Sequence, residues 1–265
     1  MHIHKVRPDI SLLSDSLEVP GIGYLPVNAY VLFAAEPVVV DTGLGLPNRD
    51  FPEALGGVMD PADVRWIWLT NPDRDHTGGL FRLLAAAPRA RVVCTFGTAG
   101  LLGCERPIPV DRLYLLNPGQ SLDVGDRTLA SFRPPLYHNP TTIGFFDDRS
   151  DACFSSHCFA GPLPTEELAE AGDVSEVDPE DLEAAQLLWA TVDSPWVQLV
   201  DPVKFAAAFQ PIRDRNPHLV LSAHLPPAPG VTGHMVDALC GVAGAAPWVA
   251  PDQAAMEFLL TRFDH

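Results

Sequence analysis

The residues with the greatest capacity for chemistry in this sequence begin with a short acidic loop, Asn71-Pro72-Asp73-Arg74-Asp75-His76. Side chains two residues apart in an extended segment point to the same side, so Asn71, Asp73 and Asp75 are expected to converge. His76 is expected to turn inward where a helix begins. Carboxylate and imidazole groups are ligands for zinc, iron and manganese, so the loop indicates a metal site. Asx-turn and helix N-cap chemistry would explain the same Asp and Asn residues without a metal.

Three further histidines stand where a strand or a stiff loop ends. His138 lies between two prolines, His157 follows the apolar run at 153–156, and His224 closes a predicted strand at 218–223. A single histidine in such a place is more often a hydrogen-bonded core or surface residue than a ligand. Three of them together with the acidic loop predict one shared centre. The predicted metal ligands are Asp73, Asp75, His76, His138, His157 and His224.

The elements that must hold these residues alternate between strands and helices. Short strands are predicted at 30–33 and 38–40, and a buried strand at 64–70 leads directly into the acidic loop. The later part of the chain predicts a polar connection or lid over 161–182 and helices over 180–192, 201–214, 231–243 and 251–263. Strands near both ends of the chain, with helices between them, predict one α/β domain over residues 1–265, a sandwich with covered sheets.

Composition narrows the class of protein. Hydrophobic residues make up 47% of the 265 residues, enough for a sizeable core. The formal net charge of −17 argues against nucleic acid or an anionic membrane as a partner, since both require clustered Lys and Arg. The five cysteines form no CxxC pair, which indicates reduced thiols rather than a disulfide framework. Neither a secretory signal nor a membrane span is evident, so the sequence predicts a cytoplasmic protein.

Several motifs resemble those of the metallo-β-lactamase superfamily, most closely the diiron domain of flavodiiron proteins and their oxygen-binding relatives. Asn28-Ala29-Tyr30, followed by a strand that ends in Asp41-Thr42-Gly43, is similar to the family's opening strands. Residues 70–80 are similar to its NHxExDHSGxL loop. Further similar segments lie at 116–122, 127–129, 135–140, 153–161 and 184–195. The resemblance covers most of the chain and implies an αββα sandwich, two mixed β-sheets flanked by helices.

Two positions depart from the family's ligand pattern. The resemblance places Asn71 where the family has its first histidine ligand, and His157 where it has the carboxylate that bridges two metals. A carboxylate bridges two cations with two oxygens, whereas neutral imidazole offers one lone pair. An amide oxygen is also a poor ligand for a transition metal. The remaining positions match or nearly match the pattern: Asp73 (Glu in the family), Asp75, His76, His138 and His224.

The resemblance divides the candidates into two ligand groups, Asp75, His76 and His224 in one, and Asp73, His138 and His157 in the other. Each is a set of two imidazoles and one carboxylate with open positions, which suits non-haem Fe(II), with Zn or Mn as alternatives. We expect either one well-occupied metal position, at Asp75, His76 and His224, or two metals without a carboxylate bridge. A degenerate, metal-free domain is the third alternative.

The resemblance implies iron-dependent redox chemistry on O2 or NO, or binding of these gases, with Asp75 and Tyr137 as catalytic candidates. A flavodiiron reductase carries a flavodoxin domain after this one, and none is expected in this chain. Electrons would then come from a separate donor protein or from a small-molecule substrate. Family members often pair head to tail, so a homodimer is expected.

Two other functions remain open from the sequence. The first is a metallo-hydrolase acting on an ester, thioester or lactam, in which a metal-bound hydroxide attacks the carbonyl and Asp75 orients that hydroxide. The second is a non-catalytic binding domain that has kept the cleft and lost the chemistry.

Overall fold

Two mixed β-sheets lie face to face between layers of helices in the computed structural model, which describes residues 1–263. The first sheet contains, in spatial order, β1 (His2–Arg7), β2 (Ile10–Val19), β3 (Gly23–Leu32), β4 (Val38–Val40), β5 (Trp66–Trp68), β6 (Arg91–Cys94) and β7 (Leu113–Leu115). The second contains β8 (Ser121–Asp123), β9 (Thr128–Phe132), β10 (Gly144–Asp147), β11 (Ala152–Ser156), β12 (Leu219–Ser222) and β13 (Ala228–Pro229).

Helices cover the outer face of each sheet. The α-helices of the described part are α1 (Phe51–Gly56), α2 (Arg74–Thr77), α3 (Leu80–Ala86), α4 (Phe96–Gly103), α5 (Glu166–Ala169), α6 (Pro179–Asp193), α7 (Pro202–Ala207), α8 (Gln210–Arg215), α9 (Thr232–Cys240) and α10 (Gln253–Phe263). Phe51 of α1 and Leu80 of α3 are buried against the first sheet. Leu182 of α6, Phe205 of α7 and Met235 of α9 are buried against the second.

Strand direction decides where the loops meet. β4, β5, β6 and β7 are parallel to one another in the first sheet, and β11 is parallel to β12 in the second. The carboxyl ends of neighbouring parallel strands lie at one edge of a sheet, where loops commonly form a site. The loops after β4 and β5 therefore lie next to each other at the edge of the first sheet. The loops after β11 and β12 do so at the edge of the second.

Large aromatic side chains fill the space between the sheets. Tyr30 of β3 meets Phe154 of β11 edge-on, with ring centroids 5.6 Å apart. Trp68 of β5 lies 4.4 Å, centroid to centroid, from Phe145 of β10. All four rings are buried. Aromatic residues of this kind dominate core energetics, so their packing fixes how one sheet lies on the other.

A polar seam also joins the two sheets, where β3 lies against the end of β12. The Asn28 amide nitrogen donates to the carbonyl oxygens of Ser222 at 3.2 Å and Leu225 at 2.7 Å. The Tyr30 hydroxyl donates to the same Ser222 oxygen at 2.7 Å. Buried hydrogen bonds of this kind are costly to leave unmade, so they hold the two sheets in one alignment.

The predicted α/β sandwich of two mixed sheets flanked by helices is confirmed. The predicted single helix over 201–214 is wrong: it is two helices, α7 and α8, because Pro211 in the first turn of α8 has no N–H to continue the ladder. The predicted strand at 64–70 is shorter, since only Trp66–Trp68 is assigned to β5. Within residues 1–263, no helix has the length and apolar character needed to cross a membrane.

Residues 161–182 are folded rather than a plain polar connection. They include α5 and the first residues of α6, and Ala169, Val174 and Val177 are buried. Leu163 and Tyr24 exchange two backbone hydrogen bonds of 2.8 Å, which tie the segment to β3. The segment is therefore packed against β3 and against the core cluster of the second sheet, and does not form a free lid.

Candidate metal centre

The centre is assembled from the ends of four strands. Asp41 follows β4, His76 lies in α2 after β5, His157 follows β11, and His224 follows β12. Asp41 and Ser156 have left-handed backbones, with φ of 57° and 54°. Such conformations are uncommon for non-glycine residues and concentrate at functional sites. They turn the chain sharply where β4 and β11 end.

Two glycines let α2 approach the end of β4. A methyl group at Gly78 would lie 2.0 Å from the backbone nitrogen of Gly45, and one at Gly79 would lie 2.5 Å from Cβ of Phe51. No side chain larger than hydrogen fits at such distances. The Gly-Gly pair therefore allows the close backbone contact that holds His76 beside Asp41.

Three histidines converge in the buried interior. Ligand atoms of His76, His157 and His224 all lie within 4.8 Å of one another. The Nε2 atoms of His76 and His157 are 2.9 Å apart. A carboxylate oxygen of Asp75 lies 3.4 Å from Nε2 of His224 and 3.8 Å from Nε2 of His76. This arrangement of three imidazole nitrogens and one carboxylate is of a kind that could surround a cation.

The Nδ1 atoms of His76 and His224, which face away from the centre, contact hydrogen-bond acceptors. His76 Nδ1 lies 2.8 Å from Asp41 Oδ2, and that carboxylate also accepts from the backbone nitrogen and hydroxyl of Thr70 at 2.8 and 2.6 Å. His224 Nδ1 lies 2.8 Å from the carbonyl oxygen of Pro26. In metal sites, such acceptors fix the ring and leave the other nitrogen free to bind.

An orphaned nitrogen tests whether a metal ion fits here. His224 Nε2 is buried and has no hydrogen-bond partner among the described residues. A buried polar atom without a partner is uncommon and costly, and a bound ion is one recognised explanation. Because Nδ1 of this ring is engaged by Pro26, Nε2 carries the lone pair that an ion would use. The residues present therefore fit a metal ion.

A second group lies beside the first and includes Asp193, a residue that the sequence analysis missed. Ligand atoms of His138, His157 and Asp193 lie within 4.8 Å of one another. The Asp193 carboxylate lies 3.3 Å from His138 Nδ1 and 3.4 Å from His157 Nδ1. One signal was present in the sequence, since Asp193 follows the predicted helix at 180–192. A carboxylate at a helix C-terminus is opposed by the helix dipole, which suggests a cationic partner elsewhere.

The acidic loop does not behave as a single extended segment. Asn71 is buried, its Oδ1 accepts from the backbone nitrogen of Asp73 at 2.9 Å, and its amide donates to the Thr142 hydroxyl at 3.0 Å. The expected convergence of Asn71 with Asp73 and Asp75 is wrong, because Asn71 forms an Asx turn. Asp73 occupies the N-cap position of α2, but its carboxylate contacts His138 Nε2 instead of capping the helix.

Tyr137 points to a neighbouring cleft. Its ring centroid lies 5.2 Å from that of Trp196, and the Arg133 guanidinium lies 5.4 Å from the Tyr137 ring. The Trp196 indole nitrogen donates to the Tyr137 carbonyl oxygen at 2.8 Å. Within residues 1–263 the Tyr137 hydroxyl makes no hydrogen bond to the histidines, so no contact supports its predicted catalytic role.

Burial and neighbouring charges shift the pKa values of the site residues in different directions. Burial lowers the pKa of His76, but the carboxylates of Asp41 and Asp75 outweigh it and raise that pKa to about 9. Burial, together with the adjacent His224, lowers the pKa of His157 to about 3. Burial raises the pKa of Asp75, but His76 and His224 overcome this and bring it to about 2.

In the second group, neighbouring charges again outweigh the effect of burial on the pKa values. Burial lowers the pKa of His138, but the carboxylates of Asp193 and Asp73 dominate and raise it to about 10. The pKa of Asp193 lies far below its usual range because His138 and His157 outweigh the opposing effect of burial. The carboxylates thus favour positive charge on His76 and His138, whereas burial favours the neutral form of His157, which keeps a lone pair.

Comparison with known proteins identifies the family. The family model of the metallo-beta-lactamase superfamily matches residues 22–165, more than half of the chain. The chain belongs to the metallo-beta-lactamase superfamily. Its fold, with two sheets between layers of helices and with histidines at the strand ends, agrees with that assignment. The predicted resemblance to this superfamily is confirmed.

Similar proteins within the superfamily are flavodiiron proteins. The anaerobic nitric oxide reductase flavorubredoxin of Salmonella typhi is 27% identical over 177 residues, which cover 66% of this chain and 36% of that protein. This chain therefore spans about a third of the length of that curated relative.

Solved structures give the same picture of the fold. Rubredoxin oxygen:oxidoreductase from Desulfovibrio gigas superposes with a TM-score of 0.74 at 15% identity, covering 93% of this chain and 63% of that one. The flavodiiron protein from Giardia intestinalis gives 0.73 at 16%, covering 92% and 59%. A 1–254 fragment of a putative diflavin flavoprotein from Nostoc gives 0.73 at 14%, covering 100% and 98%.

Proposed function

We propose that this protein binds non-haem iron and uses it to bind or reduce O2 or NO. Asp75, His76 and His224 would hold the iron, and we refer to these three residues as the first metal position. The observation that carries the proposal is the buried convergence of His76, His157 and His224 Nε2 beside the Asp75 carboxylate. The likeness to flavodiiron proteins, at 27% identity with a nitric oxide reductase, supports iron over other metals.

The chain's own residues prepare this position before any ion binds. Asp41, fixed by two hydrogen bonds from Thr70, sets the ring of His76, and the Pro26 carbonyl sets the ring of His224. Two imidazoles and one carboxylate with open positions are the ligand set of non-haem Fe(II) oxygenases. Bound iron would supply a redox-active centre with free coordination positions for a diatomic gas.

Two cavities lie near the centre, a small buried one behind His157 and a larger one open to solvent beside Asp73. The cavity bordered by His157 and Asp193 has a volume of about 10 Å³. That is about the minimum for one water-sized occupant. Asp73, Asp75 and His138 are partly exposed and mark the side that faces solvent. On that side, a cavity of about 390 Å³ lies beside Asp73, so the preference for a gas over the substrate of a metallo-hydrolase rests on the likeness to flavodiiron proteins.

Metal analysis and gas uptake test the proposal. Protein purified without added metal is loaded anaerobically with Fe(II), and its iron, zinc and manganese are measured by mass spectrometry. We expect preferential iron binding and iron-dependent uptake of O2 or NO when a chemical reductant is supplied. Metal-dependent ester hydrolysis without gas uptake would favour the hydrolase. Failure to bind iron, zinc or manganese would favour a degenerate binding domain.

Electron supply and assembly belong to the same proposal. The proposal includes a separate donor protein that reduces the iron. Pairing of two copies is a further part of the proposal, which analytical ultracentrifugation at micromolar concentration would test. Sedimentation as a monomer would remove the homodimer and leave the iron chemistry intact.

A further inference from the structure

We propose that this chain has a separate binding site for a small aromatic acid, a flat ring system that carries one anionic group. The site is a cavity of about 560 Å³, and we call it the aromatic cleft, defined by Arg133, Tyr137, Trp196, Lys204 and Phe205. Small-molecule sites are commonly cavities of roughly 300–1,000 Å³, so this volume suits a ligand of one or two rings. The inference goes beyond the proposed function and does not depend on iron.

Two half-buried aromatic rings line the cleft. The ring centroids of Tyr137 and Trp196 lie 5.2 Å apart, and their planes are inclined at 40°. Trp196 is held by two contacts: its indole nitrogen donates to the Tyr137 carbonyl oxygen at 2.8 Å, and its ring meets that of Phe205 edge-on at 6.1 Å. Aromatic rings attract a further ring in stacked or edge-on arrangements. Because these side chains are already held, a ligand ring can pack on them at little cost in side-chain ordering.

The charge of the aromatic cleft is opposite to that of the chain. Among the described residues that line it, the charged groups are Arg133, Lys204 and the carboxylate of Asp201. They leave one net positive charge in a chain whose formal net charge is −17. Asp201 is engaged as the N-cap of α7, because its Oδ1 accepts from the backbone nitrogens of Val203 at 2.9 Å and Lys204 at 3.0 Å. The cleft is therefore a favourable place for an anion on an acidic protein.

Both cations keep donors that a ligand can use. Among the side chains that the structure describes, none forms an ion pair with Arg133 or Lys204. Nη1 of Arg133 donates to the carbonyl oxygen of Pro140, and the guanidinium lies 5.4 Å from the Tyr137 ring. A guanidinium has five N–H donors, so others remain for an anion. The cations should therefore select an aromatic acid over a neutral aromatic compound.

Two other large cavities lack one part of this combination. The cavity of about 650 Å³ beside α5 is lined, among the described residues, by five carboxylates and by no Lys or Arg. The cavity of about 510 Å³ beside β1 includes Lys5 and Arg7, but no Phe, Tyr or Trp lies in its described lining. Of these three cavities, the aromatic cleft alone combines aromatic rings with cations.

Displacement of a fluorescent aromatic anion tests the site. The folded chain as purified is titrated with anilinonaphthalene sulfonate, and the bound dye is displaced by naphthoate or by naphthalenemethanol, the neutral alcohol with the same ring system. We expect saturable binding of the dye. Naphthoate should displace it at a concentration roughly ten-fold lower than the alcohol does, because charge-assisted hydrogen bonds are the stronger ones.

Substitutions locate the bound dye. Lys204→Met removes the ammonium group and should weaken naphthoate by roughly three-fold or more, while the alcohol changes by less than about two-fold. Trp196→Leu removes part of the aromatic lining and should weaken both compounds. Lys5→Met is the matched control, because Lys5 is the other lysine of the sequence and lines the cavity without aromatic rings. It should bind both compounds as wild type does. Circular dichroism shows whether each variant is folded.

The remaining outcomes would overturn the inference. Equal displacement by naphthoate and by the alcohol would show that the cleft does not select an acid. Weaker naphthoate binding in Lys5→Met, with none in Lys204→Met, would move the site to the cavity beside β1. No saturable dye binding would remove the site, and dye binding that is lost as the chain dimerises would assign the cleft to a second copy. None of these results bears on the proposed iron chemistry, because no predicted metal ligand is changed.

Discussion

The two halves of the centre differ in how completely the protein satisfies its own polar groups. On the side of β4 and β5, Asp41 accepts three bonds and fixes His76. On the side of α6, His138 and His157 face Asp193 without a hydrogen bond. The first half is held by short hydrogen bonds, and the second by longer contacts of 3.3 Å and 3.4 Å to the Asp193 carboxylate. Substitutions should therefore have different consequences in the two halves.

The largest expected effect is loss of the first ion. His224→Ala removes a buried ligand whose Nε2 has no protein partner, so Fe(II) affinity at the first metal position should fall by more than a hundred-fold. Iron-dependent gas uptake should disappear with it. Titration of Fe(II) and an oxygen or nitric oxide electrode measure the two effects. His218→Ala, at the exposed opposite end of β12, is the matched control and should behave as wild type.

A smaller effect is expected when the first half loses its outer support. Asp41→Asn keeps a residue that tolerates left-handed backbone, but it weakens the acceptor for His76 Nδ1. Iron affinity at the first metal position should fall about 10–100-fold. Asp151→Asn is the control, because Asp151 also has a positive φ, 51°, and is exposed. Equal iron affinity in the Asp41 variant and wild type would contradict this role for Asp41.

The side of the centre next to α6 leads to a prediction about stability. Ser194→Ala removes a buried hydroxyl that has no partner, so the free energy of unfolding of the metal-free protein should rise by about 1 kcal/mol. Thermal unfolding should then shift upward by about 2–4 °C. Ser131→Ala is the contrast, because that hydroxyl lies 2.7 Å from the carbonyl oxygens of Asn117 and Gln120, and its loss should destabilise. Destabilisation by both substitutions would contradict an orphaned Ser194.

The smallest effect concerns an ion cluster that is complete without metal. Arg127 Nη1 bonds Asp9 at 2.6 Å and Asp147 at 3.0 Å. Burial raises the pKa of Asp9, but hydrogen bonds from Arg127 and Ser150 outweigh it and lower that pKa below 3.8. A depressed folded pKa gives stability that is present above pH 3.8 and is lost as pH falls through the lowered value.

Acid unfolding tests this last prediction. Asp9→Asn should reduce the loss of stability below pH 3.8 and should leave iron affinity unchanged. Unfolding by urea at several pH values between about 2.5 and 6 measures the difference between variant and wild type. A change in iron affinity would show that this cluster and the metal centre are coupled.

Much of the fold and part of the centre could be predicted from sequence, because both depend on local pattern. His76, His157 and His224 follow strands whose apolar runs are visible in the sequence, and the structure brings the three together. The predicted direction of the Asn71 side chain is wrong because an Asx turn breaks the alternation of side-chain directions found in an extended segment. Asp41 and Asp193 reach the centre through packing between distant elements. No local pattern specifies which carboxylate such packing selects.

The polar seam of Asn28 and Tyr30 has a consequence for how such a centre tolerates change. One carboxylate–imidazole pair, Asp75 and His76, comes from the first sheet, and His157 and His224 come from the second. The geometry of the centre thus depends on how the two sheets are aligned with each other. Surface loops could be lengthened or exchanged while its dimensions persist. A slight slippage of one half over the other, caused by a change at Asn28 that touches no ligand, would separate the ligand atoms and abolish the site.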